Sequence, residues 1–332
     1  MSDMALDDGA IALLIFLASL LLDYLLGDPW HWLHPVQVMG WVISAYTETA
    51  LRLTQSPPLL RLLGVGLTLL MLLGSGGVAW GMIALGGWIH PGLAGAIAIV
   101  LFASCLAGRS LRQAAEDVLA PVLQGDIEGA RQRLKNYVGR DTEDLSESEI
   151  LRAVLETVAE NTVDGGTAPL FYGIVGSIVS PGGAAVVALA YKSVSTLDSM
   201  IGYKRSPYRD IGWCSARTED VLTWLPCRLT VLTIALLSGH PRRLWGQCHE
   251  QGQLDPSPNS GWSECAYAMA LGVQLGGENR YQGVVTEKPR LGKPDREITA
   301  SVVQEALGLT RRLLVWGALI GVWWIWAHYR FG

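Results

Sequence analysis

Glu160-Asn161-Thr162-Val163-Asp164-Gly165, at the middle of the stretch Glu149 to Tyr191, decides how this chain is read. The residues before it are polar and spaced as a helix. Those after it, Ala168 to Tyr191, form an apolar run. A carboxylate-rich turn at the mouth of a membrane segment needs a reason, because charge near hydrocarbon is expensive. That turn is the anchor for function.

The composition around it is that of a membrane protein with polar insertions. Half of the 332 residues are hydrophobic and 17% are charged, against about 25% in soluble domains. The 38 glycines and 13 tryptophans agree, since membrane helices are rich in Gly and their interfaces in Trp. A net charge of −5 leaves no basic footprint for nucleic acid. The five cysteines, Cys105, Cys214, Cys227, Cys248 and Cys265, include no C-x-x-C pair, so they read as buried or reduced thiols. Met1–Asp8 is acidic and lacks the basic start of a signal peptide. The first apolar run is expected to be a retained anchor.

In chain order, 9–26 is long enough to span. A Pro- and Trp-rich stretch follows, with Asp28, His31 and His34. Residues 38–53 form an amphipathic helix before Pro57-Pro58. Residues 59–89 exceed one straight span, and Gly74–Gly77 offers a kink or a close helix approach. After the His90-Pro91-Gly92 turn, 93–107 returns through the membrane. Within the polar insertion 108–167, helices are expected over 110–123 and 126–137, broken at Gly125, with Val118, Leu119, Val122 and Leu123 on one face. Ser146 and Glu149 form a capping box ahead of the apolar stripe Leu151, Val154, Leu155 and Val158. Glu156 and Glu160 lie one turn apart and repel unless a cation is near.

Ser180-Pro181-Gly182-Gly183 interrupts 168–191, which is either one broken span or a re-entrant hairpin, tolerated where it lines a cavity or is buried in protein. The polar segment 192–220 carries Lys192, Ser195, Asp198 and Arg217. The apolar stretch 221–238 contains Pro226 and Arg228, which suits a tilted or interfacial segment. In the polar insertion 239–311, Asp255–Glu264 is an irregular run whose amides and hydroxyls, Asn259 and Ser260 among them, are candidates to line an anion site. A small-residue helix is expected over 266–277 and a loop over 278–294. The last span is 313–327, ending in the aromatic belt Trp323, Trp324, Trp326 and Tyr329. The fold class is thus all-α: a single polytopic membrane domain over 1–332 with about four to six membrane segments. Loop charge places the start of the chain outside. Their basic residues favour 108–167, 192–220 and 239–311 all being cytoplasmic, with 168–191 and 221–238 as hairpins or interfacial segments; full spans at both would put 192–220 outside.

Phosphate-loop, dinucleotide, zincin and nucleophile-elbow motifs are absent from the sequence. What remains is dispersed: carboxylates at Asp23, Asp28, Glu160, Asp164, Asp198 and Asp220, an amide at Asn161, cations at Lys192, Arg209 and Arg217, and His34. Carboxylates with an amide suit Mg²⁺, and Lys and Arg suit phosphates. The mixture points to a metal–phosphate reaction at a membrane surface. A transporter of a polar solute would use a similar set.

Four blocks carry a family resemblance. They are Leu22-Asp23 through Gly27-Asp28-Pro29 to His34-Pro35-Val36, Val138-Gly139-Arg140-Asp141-Thr142, Glu156 through Glu160–Gly165 to Lys192 and Asp198, and Ser215-Ala216-Arg217 with Asp220 and Pro258–Trp262. In these the chain resembles the CbiB/CobD membrane proteins of cobalamin (vitamin B12) biosynthesis. A related branch holds the AmpE-like membrane sensors, but the full block set favours the vitamin branch. The resemblance implies adenosylcobinamide-phosphate synthesis in the inner (cytoplasmic) membrane. There (R)-1-amino-2-propanol phosphate, or free aminopropanol, is joined to the free carboxyl of adenosylcobyric acid, with Mg²⁺ and ATP as the expected cofactors. Other cobalamin-pathway enzymes are possible partners. In that reading Glu160, Asp164 and Asp198 hold Mg²⁺ with Asn161. Lys192 and Arg217 grip the phosphate of ATP or of the ester, and His34 or Asp28 takes the amine's proton.

Overall fold

The computed structural model describes residues 7–27 and 34–332, so Asp28 and His31 lie outside the described residues. Along the chain run helices α1 (Asp8–Leu26), α2 (Pro35–Leu53), α3 (Pro57–Ile89), α4 (Pro91–Ala103), α5 (Gly108–Leu123), α6 (Ile127–Leu134) and α7 (Glu147–Thr162). A π-helical turn (Val163–Thr167) leads to α8 (Ala168–Val179), α9 (Gly183–Ile201), the short α10 (Tyr208–Ile211), α11 (Trp213–Leu237), α12 (Pro241–Gln251) and α13 (Ser260–Leu271). Strands β1 (Gln274–Tyr281) and β2 (Val284–Gly292) precede α14 (Ala300–Phe331). The all-α polytopic reading holds. Among the described residues six stretches are long and apolar enough to cross a membrane: α1, α3, Pro91–Leu123, α9, α11 and α14. Leu73, Trp80 and Trp88 are exposed on α3. Apolar surface of that kind fits lipid and not water.

The chain forms two compact units. The first comprises Met1–Arg109, Ala168–Leu222 and Trp316–Gly332; the second comprises Ser110–Thr167 and Thr223–Val315.

In the first unit α9 is the central helix, packed against α8, α3, α2 and α4. Small residues make this possible. Ala184, Ala185 and Ala188 are fully buried, and a Cβ on Gly76 of α3 would sit 3.5 Å from that of Ala190. Gly76 therefore serves close approach, and α3 continues through Gly74–Gly77 without a break. Pro57 stands at the start of α3, where a missing N–H costs nothing.

Residues 168–191 form a hairpin. At 12 residues, α8 is about 18 Å long, short of a bilayer core of about 30 Å. The chain turns at Ser180–Gly182 and returns along α9. The rings of Tyr172 and Tyr191 stack at 4.8 Å, and Gly176 meets Gly183 closely enough that a Cβ on either would lie 2.1 Å from the other's carbonyl oxygen. Lys192 is thereby returned to the end of the hairpin at which α8 begins.

The second unit holds most of the polar sequence. Gly125, at φ +75°, separates α5 from α6. Val118, Leu119 and Val122 are buried as expected, but Leu123 is exposed. The Ser146–Glu149 capping box forms in both directions, and Leu151, Val154, Leu155 and Val158 are buried behind it.

Three local expectations are corrected here. The segment 278–294 is not a loop: β1 and β2 pair antiparallel around Gln282 and Gly283, both at positive φ, as a two-residue hairpin turn demands. The helix expected over 266–277 stops at Leu271, where Gly272 takes the left-handed conformation. Residues 221–237 belong to one continuous 25-residue helix, α11, with no hairpin. Arg228 is provided for: it donates to Asn259 Oδ1 at 3.1 Å and lies 4.1 Å from the Trp262 ring centre.

The glycine contact in the hairpin gives a paired test. Gly176→Ala should cost about 1–3 kcal/mol by overpacking and lower the thermal midpoint of the detergent-solubilised protein. Gly77→Ala, with nothing within 4 Å, should leave that midpoint unchanged or slightly raised.

Candidate functional site

The Glu160–Gly165 motif ends α7 in the second unit. Thr162 fixes its inner side: its hydroxyl lies 2.9 Å from that of Thr310, and Tyr267 donates to it at 3.0 Å. All three groups are buried, and burial pushes the Tyr267 hydroxyl up to about 12 against the pull of both threonines. From Val163 the backbone widens into the π turn, a distortion frequent at functional sites. The Thr167 side-chain hydroxyl donates back to Thr162 O at 3.3 Å.

On the outer side, Glu160 and Asn161 are solvent-exposed and Asp164 is half-buried. Asn161 donates to Thr157 O at 2.9 Å, which leaves its carbonyl oxygen as a ligand. The protein mass around Glu160 pushes its carboxyl above the ordinary range; Asp255 and Glu156 add to the push, and Lys288 and Arg140 oppose it. The carboxylate's own exposure moderates that effect and keeps it within reach of a ligand.

Behind Glu160 lies an ionic cluster that the sequence reading did not identify. Glu156 is buried and salt-bridged to Arg140 and to Arg152 at 3.4 Å. It also accepts from Gly276 N at 2.9 Å. These are the cations that the Glu156–Glu160 repulsion required. Glu264 is fully buried, with Lys288 of β2 at 3.2 Å. Burial, with Glu156, Glu160 and Asp255, raises the Glu264 carboxyl to about 8 although Lys288 opposes the rise. Burial also pulls Lys288 downward, but Glu264, Glu160, Asp255 and Glu156 outweigh it and hold the ammonium charged. The only local signal was Arg140, within Val138–Thr142. Neither Glu264 nor Lys288 has a sequence neighbour that announces the pair.

Asn259 and Ser260 begin α13 in the same unit. The amides of their run are already used within the chain: Ser257 N donates to Asp255 Oδ1 at 2.8 Å and Ser260 N to Ser257 Oγ at 3.2 Å. An anion there would be met by side chains and not by these two amides.

The other candidates belong to the first unit. Lys192 and Ser195 are half-buried on α9. The hydroxyls of Thr196 and Ser199 return to carbonyls of the same helix, and Ser193 also reaches Met71 O of α3 at 2.8 Å. Most of this hydroxyl-rich turn thus serves helix packing. Asp198 lies against the helix end, where a Cβ on Gly202 would meet its Oδ1 at 1.9 Å. Arg217 is exposed, 3.8 Å from Asp220. His34 caps α2, its Nδ1 accepting from Val36 N at 3.3 Å while Gln37 accepts from His34 N. In the neutral ring the proton then sits on Nε2.

Among the described residues, no group of three or more His, Cys, Asp or Glu side chains is placed to hold a metal ion. Magnesium asks for less than that. It is bound through one or two carboxylates, with waters and substrate phosphates completing the shell. Glu160 and Asp164, with the Asn161 oxygen, fit this pattern as a donor set.

The family model described as CobD/Cbib protein matches residues 16–310. A cobalamin biosynthesis protein CobD from Synechocystis sp. is 50% identical over 312 residues, covering 94% of this chain and 91% of its own. A cobalamin biosynthesis protein CbiB from Salmonella arizonae is 40% identical over 312 residues, with 93% and 94% covered. A CobD from Klebsiella pneumoniae is 41% identical over 304 residues, with 90% and 93% covered. No solved structure matches the chain.

The Glu264 carboxyl sets a pH dependence. Its value in the folded chain, about 8, lies above the ordinary 4.5. Its stabilising contribution is therefore complete below about pH 4.5 and is lost as pH rises through 8. Thermal midpoints of the wild type should fall between pH 5 and 8.5, and those of Glu264→Gln should be flatter over the same window. Parallel curves would show that Glu264 does not titrate there.

Proposed function

Because the chain belongs to the CobD/CbiB family of cobalamin biosynthesis proteins, we propose that it is the amide-forming enzyme of that pathway. It joins (R)-1-amino-2-propanol phosphate, or free aminopropanol, to the free carboxyl of adenosylcobyric acid to give adenosylcobinamide phosphate. The observation that carries this reading is the Glu160–Asp164 turn. It presents an open carboxylate, an outward amide oxygen and a second carboxylate from a rigid, buried base. The reaction needs such a group. A carboxylate does not condense with an ammonium at neutral pH, and phosphorylation by ATP converts it into an acyl phosphate with a good leaving group.

In this account Glu160 and Asp164, with Asn161, hold Mg²⁺ against the phosphates of the nucleotide. Bound there, the ion would neutralise phosphate charge and orient the transferred group. Lys192 and Arg217 bind phosphate, of ATP or of the aminopropanol ester, as point charge and fork respectively. Asp198, Ser195, Asn259 and Ser260 contribute polar contacts to substrate. His34, once Nδ1 releases its cap bond to Val36, or Asp28 accepts the proton of the attacking amine. The corrinoid is large, flat and partly apolar, which suits a multi-pass protein of the inner (cytoplasmic) membrane that takes it from neighbouring pathway enzymes.

Membranes carrying Glu160→Gln or Asp164→Asn should insert normally and form the amide roughly 100-fold or more slowly, the scale expected for losing one electrostatic partner of the transition state. Mass detection of adenosylcobinamide phosphate from adenosylcobyric acid, aminopropanol phosphate and Mg-ATP measures this. Wild-type rates from both variants would remove the metal-binding assignment.

A further inference from the structure

A cavity of about 160 Å³ lies in the second unit, lined by Ser238, His240, Arg243, Gly272, Lys293 and Asp295 among others and by no residue of the Glu160–Gly165 turn. Its charged groups are not required by the fold. The carbonyl end of α13 is served by Arg296, which donates from Nε to Leu271 O at 2.6 Å and from its backbone N to Gly272 O at 3.0 Å, while its guanidinium pairs with Glu305 at 2.6 Å. Among the described residues, Arg243 and Lys293 have no ion-pair partner. The cavity sets two cations against the single acid Asp295, and an anion placed between the cations relieves their repulsion. The helix α12 begins at the same rim, at His240, with no side chain capping its first amides, which adds fixed positive potential.

Position selects the kind of anion. Ser238 directly follows Leu237, the last residue of α11, one of the helices long and apolar enough to cross a membrane. The segment that follows, His240-Pro241-Arg242-Arg243-Leu244-Trp245, has two adjacent arginines and an exposed Trp245. Basic residues just past a membrane helix attract phospholipid head groups, and Trp favours head-group depth. Asp295 adds one acid to the lining, so the cavity offers a place for a positive group beside the phosphate.

We propose that this cavity binds the head group of a membrane phospholipid, with the phosphate against Arg243 and Lys293 and a head-group amine against Asp295. The test uses the full-length protein in detergent, with bound lipid counted by native mass spectrometry. Dihexanoyl-phosphatidylethanolamine and dihexanoyl-phosphatidylglycerol are the lipid probes, and free phosphoethanolamine is the soluble one. Both lipids should bind saturably. The Arg243→Gln/Lys293→Gln double variant should bind them about 30-fold more weakly, from roughly fivefold per cation near a head group. Arg243→Lys, which keeps the charge, and Arg242→Gln, outside the lining, should each stay within about threefold of wild type. Asp295→Asn should weaken the ethanolamine lipid and spare the glycerol lipid. Unchanged lipid binding by the double variant would overturn the site. Displacement of lipid by an equal concentration of free phosphoethanolamine would overturn the lipid assignment in favour of a soluble phosphorylated amino alcohol. Equal losses of both lipids in Asp295→Asn would overturn the amine contact.

Discussion

Glu156 is the pin of the second unit. One of its oxygens meets Arg140; the other accepts from Arg152 at 3.4 Å and from the Gly276 amide at 2.9 Å. The two arginines extend the grip along β1: Arg140 donates to Asn279 Oδ1 at 2.8 Å, and Arg152 donates to the carbonyls of Gly276 and Glu278. Gly276 reaches this position through a β-bulge in the β1–β2 pairing, where positive φ demands glycine. Asp141 holds the far end, accepting from Gln282 N at 2.9 Å and Gly283 N at 2.7 Å. The block Val138–Thr142 thus works as a clamp on the hairpin turn. A buried ion pair is not a cheap source of stability, but removing one partner strands the rest at about 3–5 kcal/mol. The hairpin, the seat of Lys288 and the electrostatic surroundings of Glu160 therefore stand or fall with this one carboxylate.

The first unit depends on close approach and not on charge. Apolar helices in lipid gain little from the hydrophobic effect and associate through fit and interhelical hydrogen bonds. Hence the alanines of α9, the facing glycines Gly176 and Gly183, and the seating of Gly173 against the Phe102 ring, where a Cβ would lie 2.2 Å from the ring edge. These contacts hold a half-length helix, α8, against the first part of α9. Lys192 and Asp198 are presented from a firmly packed helix, while Arg217 stands exposed at the start of α11.

Much of this was legible in local sequence. Helix ends follow from side chains that act within three or four residues: Ser146 with Glu149, Gly125, and the Pro57-Pro58 start of α3. The Ser180–Gly183 break allowed two conformations of 168–191, and the approach of Gly176 to Gly183 and the stacking of Tyr172 on Tyr191 select the hairpin. The β-hairpin was missed for a different reason. Its strands are polar, with Glu278, Arg280, Glu287 and Lys288 in place of alternating hydrophobics, so periodicity was silent while Gln282-Gly283 was the available turn signal. The ionic cluster lay further out of reach. Lys288 finds Glu264 at 24 residues' separation, and Arg140 finds Asn279 at 139. A sequence window shows Glu156 as one acid among several on a polar helix, and its burial becomes visible only when its partners do.

In the proposed reaction a corrinoid carboxylate is phosphorylated before the amine attacks. The most direct measurement uses adenosylcobyric acid carrying ¹⁸O in its free carboxyl, with aminopropanol phosphate, Mg-ATP and the purified protein. An acyl phosphate requires one labelled oxygen to leave with inorganic phosphate, matched one-to-one with amide formed. Amide formation without ATP, or label recovered in AMP instead of phosphate, would contradict it.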